Sequence, residues 1–143
     1  MAQIPLFITY QEYFSKWLGS FDVTEERKAN AIKLLTACDA LYRLAVQNDV
    51  YFPFNSRTQS RVSGETYGGF RPQDCPIGSN RSAHKEALAV DIYDPNGDID
   101  NWCLDNQDKL EQCGIYIEAP NKTIGWSHWT IRAPGSGKRV FMP

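Results

Sequence analysis

The chain is 143 residues long, 42% hydrophobic and 22% charged, with a formal net charge of −2. That length suits one domain with a real core, and the near-neutral balance gives no electrostatic case for nucleic acid or another polyanion. No apolar run approaches the ~20 residues that cross a bilayer, so membrane insertion is not expected, and the opening MAQIPLFITYQEYF lacks the basic and long apolar regions of a secretory signal.

Thr9 and Glu12 have the spacing of a capping box, in which each side chain satisfies a backbone N–H at a helix start. Tyr10, Tyr13, Phe14, Trp17 and Leu18 follow at helical spacing and predict an aromatic stripe that packs the core, with Gly19 ending the helix. A second helix is predicted from about Thr24 to about Gln47. Its stripe is Ala29, Ile32, Leu35, Cys38, Leu41 or Tyr42, and Ala45, and Glu25 and Glu26 suit the positive end of its dipole. From Asn48 to Asn80 the chain is rich in Gly, Pro, Ser and Asn and has no periodicity. Long irregular segments inside a compact domain are often functional, so this one reads as an active-site wall.

Ala87 to Tyr93 alternates as a strand, with Leu88, Val90 and Ile92 on one face and Ala87, Ala89, Asp91 and Tyr93 on the other. After a turn at Asp94 to Gly97, Asp98 is placed to cap a third helix carrying Ile99, Trp102, Leu110 and Cys113 and closed by Gly114. Ile115 to Glu118 predicts a strand, Ala119 to Lys122 a turn, and Ile124 to Ile131 a further strand, and the irregular tail can add an edge strand. Helices first and then a small, mainly antiparallel sheet make an α+β fold. Within one domain, residues 1–50 are the expected helical scaffold and 51–143 the core that carries the site. Cys38, Cys75, Cys103 and Cys113 form no C-x-x-C pair, which argues against a thiolate zinc site. They are expected to be reduced and structural, the alternative being a disulfide at Cys75.

The chain has two histidines, His84 in SAHKEALAVD and His128 in GWSHWT. Two neutral imidazoles and a carboxylate form a ligand set with which zinc keeps a fourth position open for water. Asp91 lies seven residues after His84, and an extended chain would hold the two roughly 23 Å apart. Ligands of one ion sit ~2 Å from it, so the chain must reverse just after His84. Asp91 would then stand on the strand beyond the bend, and His128 would come from a neighbouring strand. On spacing alone, two histidines packed in the core remain the alternative.

Ser82, His84, Ala89 and Asp91, followed by Trp126 and His128, resemble the S-x-H-x-x-G-x-A-x-D and W-x-H motifs of zinc peptidases of the D-Ala-D-Ala carboxypeptidase superfamily, peptidase family M15. In detail the chain is most similar to a compact phage and prophage, endolysin-like subgroup, through YGGFRPQDCP and PGSGKRVF, over about residues 60 to 143. The resemblance implies a hedgehog/DD-peptidase-like fold and one Zn2+ held by His84, Asp91 and His128. It also implies hydrolysis of an amide in the peptidoglycan stem peptide, by carboxypeptidase or endopeptidase action. The expected partner is bacterial peptidoglycan, reached by a monomer after holin-type release or as a virion component. The alternative is a non-catalytic zinc-containing module of the same fold that binds peptidoglycan or a phage protein.

Two positions depart from the family pattern. Its glycine between His and Asp is Ala87 here, which costs about 1 kcal/mol if the backbone is left-handed. Many members carry an acid three residues before the second histidine, where this chain has Gly125. The general base must come from elsewhere, and Glu118, on the strand before that of His128, is the candidate; Asp108 and Glu111 are expected to face solvent. Arg71, in the segment similar to the family's substrate loop, suits a bidentate grip on a substrate carboxylate. Ser82 is placed to orient His84 or its loop, and Tyr67 to line the pocket. Trp126 is assigned to the cleft, with at least one of Trp126 and Trp129 in the core. Arg81 and Lys85 are expected to be exposed, and Arg132 structural.

Overall fold

The computed structural model describes residues 6–64, 67–77 and 82–142; Arg81 lies outside them. Helix α1 spans Tyr10–Phe14 and α2 Glu25–Gln47; strand β1 is Ala89–Asp94, α3 Asp98–Asp105, α4 Gln107–Cys113, β2 Tyr116–Glu118, β3 Gly125–Thr130 and β4 Val140–Phe141. The four strands form one sheet in the order β1-β3-β2-β4, with β1 and β2 antiparallel to β3 and β4 parallel to β2. The architecture is α+β. No helix among the described residues is long and apolar enough to cross a membrane.

Local chemistry accounts for the helix starts. The Thr9 hydroxyl takes the Glu12 N–H and the Glu12 carboxylate takes the Thr9 N–H, so the capping box forms as expected. α1 ends early, at Ser15 with φ 49°, and a 3-10 turn over Ser15–Trp17 carries the chain toward Gly19. Tyr13 and Phe14 of its stripe are buried, whereas Leu18 is exposed. α2 begins after Thr24, whose side chain caps Arg27 N–H.

The buried stripe of α2 is Ala31, Leu34, Leu35, Cys38, Leu41 and Ala45; Ala29 and Ile32, expected inside, are exposed. The first turns of α2 instead meet the loops through polar contacts, Asn30 donating to the Glu86 carbonyl and Arg27 to the Asp22 carbonyl. The predicted single helix over 98–113 is two, broken at Asn106, where ψ is 48°. Asp98 does not cap it: the Asp94 carboxylate accepts the N–H groups of Ile99 and Asp100, from the end of β1. All four cysteines are unpaired, including Cys75.

Alternation in the strands sorts the sheet into two faces. Val90 and Ile92 of β1, Ile117 of β2 and Trp129 of β3 join one apolar cluster with Phe14 and Leu34 from the helices. Asp91, Glu118 and His128 lie on the opposite face, which lines a cavity.

Candidate metal centre

His84 sits on one tight turn, closed by hydrogen bonds from Glu86 N–H and Leu88 N–H to the Ala83 carbonyl at 3.2 and 2.8 Å. Ala87 makes the reversal with φ 59°, so it occupies the left-handed region in which the resembled family has glycine. β1 leaves this turn directly and presents Asp91 two residues into the strand. The β1–β3 register pairs Asp91 with His128.

Three separated segments thereby meet. His84 Nε2 lies 3.3 Å and His128 Nδ1 2.9 Å from the same oxygen, Asp91 Oδ1. One donor atom from each residue falls within 4.8 Å of the others, and together they could hold a metal ion. Ligands ~2 Å from a tetrahedral ion stand about 3.3 Å apart, which the two contacts to Asp91 match.

The outer atoms of the set are fixed as well. His84 Nδ1 is 2.8 Å from the Gly69 carbonyl. A carbonyl only accepts, so Nδ1 carries the proton and Nε2 faces the cluster with its lone pair. Asp91 Oδ2 is held by Arg71 at 3.4 Å, and Arg71 Nε donates to the Tyr67 carbonyl at 2.8 Å. Arg71 is therefore not a surface arginine; in the structure the carboxylate it grips is that of Asp91. Phe141 packs its ring edgewise on His128, with centroids 6.1 Å apart.

Burial lowers the His84 pKa against the opposing pull of Asp91, so the imidazole is neutral and able to bind a cation. Burial works to raise the Asp91 pKa, but His84 and His128 outweigh it and hold the carboxyl well below its usual range. The spacing of the three donors, with His84 neutral and Asp91 ionised, thus fits a zinc ion.

Glu118 shares the cavity with the three donors. β2 pairs with β3 at Tyr116–Thr130 and Ile117–Trp129, and the next step of that register brings Glu118 level with His128. Burial raises its pKa, with Asp91 adding to the rise and His128 and Arg71 opposing it. Asp108 and Glu111 are exposed on α4, as expected. Gly125, standing where the resembled family carries an acid, has φ 96°, a conformation that a carboxylate-bearing residue adopts only under strain.

The cavity, about 460 Å3, is also lined by Arg71, Ser82, Trp126 and Arg132. The Ser82 hydroxyl accepts the His84 N–H at 3.3 Å and so fixes the loop and not the ring. Trp129 fills the core and Trp126 the cleft. Tyr67 borders an adjoining cavity, and its carbonyl steadies Arg71. Lys85, expected on the surface, is only 2% exposed and donates to the Cys75 carbonyl at 2.8 Å. The tight turn around His84 points this side chain inward.

Sequence reasoning missed Gly69 and Tyr13. A Cβ at Gly69 would run into the Tyr13 carbonyl, which also accepts Phe70 N–H. The Tyr13 hydroxyl donates to the Ala89 carbonyl at 2.9 Å. One residue of α1, through its backbone carbonyl and its side-chain hydroxyl, thus ties the loop behind His84 to the strand that carries Asp91. The adjacent pair Gly68–Gly69 was the available signal of close backbone approach.

Comparison with family models, with curated proteins and with solved structures found no match to this chain.

Proposed function

We propose that this chain is a zinc-dependent peptidase that hydrolyses an amide bond in the peptidoglycan stem peptide, the activity implied by its motif resemblance to family M15. The observation that carries the reading is the convergence of His84 Nε2, His128 Nδ1 and Asp91 Oδ1, with the outer atoms of His84 and Asp91 held by Gly69 and Arg71. Such a set leaves a corner open on a tetrahedral ion, and the chemistry zinc supplies there is a more acidic water and a polarised carbonyl.

The remaining work falls to the chain's own residues. Glu118, with its pKa lifted by burial, accepts the proton of the attacking water and returns it to the departing amine. Arg71 keeps Asp91 aimed. Arg71 and Arg132 give the cleft a cationic lining, suited to a peptide rich in carboxylates.

Mass spectrometry of muropeptides incubated with the zinc-loaded protein tests the proposal. New peptide products are expected, and they should vanish with Glu118→Gln. Stoichiometric zinc and peptide binding without any product would replace the peptidase by a binding module.

A further inference from the structure

A cavity of about 420 Å3 lies where α1, α2 and the loop around Arg61 meet, and it shares no lining residue with the metal cleft. Phe7, on its wall, packs on Trp129, which belongs to the apolar face of the sheet, opposite His128. We infer that this cavity binds a small phosphate monoester, with Arg43 and Arg61 as its donors. The site stands or falls apart from the peptidase reading.

Two acids and two arginines line the cavity, and they are not equally engaged. One Glu12 oxygen accepts the Thr9 N–H and the other the Ser60 hydroxyl. Asp39 Oδ1 accepts the Phe7 N–H at 3.1 Å, and Oδ2 accepts from Arg43 Nε at 2.7 Å. Every carboxylate oxygen thus already holds part of the frame. Each guanidinium, by contrast, uses only Nε on the protein, Arg43 to Asp39 and Arg61 to the Phe52 carbonyl at 3.2 Å. Among the described residues none accepts from their terminal nitrogens, and none forms an ion pair with Arg61. What the cavity offers a ligand is therefore chiefly hydrogen-bond donors that carry positive charge.

These donors are also set in advance. Arg61 Cζ lies 4.3 Å from the ring centroid of Phe54 and 5.4 Å from that of Tyr42, so two aromatic rings steady a guanidinium already anchored at Nε. Side chains fixed before the ligand arrives lose little freedom on binding it. A carboxylate has two oxygens, which a single guanidinium fork satisfies. A phosphate monoester offers three strong acceptor oxygens, which suits two forks held on separate elements. The exposed Phe54 ring and Leu6 give the organic part of the ester an apolar seat. The volume lies within the ~300–1,000 Å3 typical of small-molecule sites. One phosphate group needs only this local pair of arginines, so a chain of net charge −2 can bind it without a basic surface.

Calorimetric titration of the full chain with glycerol phosphate, in a buffer free of phosphate and sulfate, tests the site. One-to-one binding is expected. Arg43→Gln and Arg61→Lys should each weaken it about tenfold or more, with the far-ultraviolet circular dichroism spectrum unchanged. The Arg43 side chain is 44% exposed on α2, so that variant keeps the fold and reads ligand contact even where a change at Arg61 disturbs its loop. Absence of binding overturns the proposal. So does binding that Arg43→Gln leaves intact, the result expected of phosphate held at the metal centre instead. Equal affinity for acetate or dimethyl phosphate also overturns it, because two acceptor oxygens would then suffice.

Discussion

β1 carries two buried carboxylates three residues apart, and they live in opposite surroundings. Asp91 meets a guanidinium at 3.4 Å and two imidazoles, and the imidazoles hold its carboxyl well below its usual range despite burial. Asp94 meets two backbone N–H groups and the neighbouring acids Asp98 and Asp100, and its pKa is raised, chiefly by burial. Asp100 follows the same pattern, with burial pushing it up to about 6 although the Ser127 and Thr123 hydroxyls oppose the rise. Depth alone does not make a cation site; the partners decide. One end of the strand is built to receive positive charge, and the other end uses its carboxylates as caps and anchors.

The contrast would break first at His128. His128→Ala should abolish stoichiometric zinc in the purified protein, by elemental analysis, and take hydrolysis to background. Retention of one zinc by that variant would show that the ion sits elsewhere. Glu118→Gln should keep the zinc and lower kcat by about 10²–10⁴. Because the base works ionised, wild-type activity should fall on acidification as Glu118 takes up its proton. An acid limb that survives unchanged in Glu118→Gln would point to a different base.

A smaller loss is expected at Arg71. Arg71→Met leaves the three donors in place but frees Asp91 Oδ2, and zinc affinity should drop about 10–100-fold in a competition titration with a chelator. An unchanged affinity would reduce Arg71 to a wall of the cleft.

Asp100 sharpens the other half of the contrast through pH. Its folded value of about 6 lies above the ordinary 3.8, so the folded protein binds the proton more tightly. The sign follows: the stability that Asp100 contributes is greatest below pH ~4 and declines as pH rises through ~6. The decline should be about 1–2 kcal/mol once solvent screening is allowed for. Asp100→Asn should flatten that slope in denaturant titrations run at several pH values, and a slope that survives would assign it to another group.

The smallest effect is expected at Ala87, where φ is 59°. Ala87→Gly relieves about 1 kcal/mol of left-handed strain but loses a buried methyl and loosens the unfolded chain. Thermal unfolding should shift by no more than about 1 kcal/mol, with zinc content intact.

Features that depend on a few adjacent residues were legible in the sequence. The Thr9–Glu12 box, the span of α2, the Gly114 cap and the bend after His84 all appear where spacing and residue type put them. Features that depend on how elements dock were not. Ala29 and Ile32 have the right period, but the packed stripe begins at Ala31, because loops and not the core meet the first turns of α2. Asp98 had the residue type of a cap, yet Asp94 reaches the helix from the strand before it. Lys85 turns inward because a carbonyl from a distant loop waits for it. At the site itself, the residue types of the donors were readable, whereas the grip of Arg71 on Asp91 and the level of Glu118 beside His128 belong to strand register and loop folding.

Tyr13 carries a practical consequence for anyone hoping to trim the protein. Its carbonyl supports the backbone behind His84 and its hydroxyl supports the strand of Asp91, so the candidate metal site is braced from a residue near the opposite end of the chain. A fragment starting near residue 51 would lose that brace, and grafting the histidine and aspartate segments alone onto another scaffold would move the three candidate donors without the clamp that aligns them.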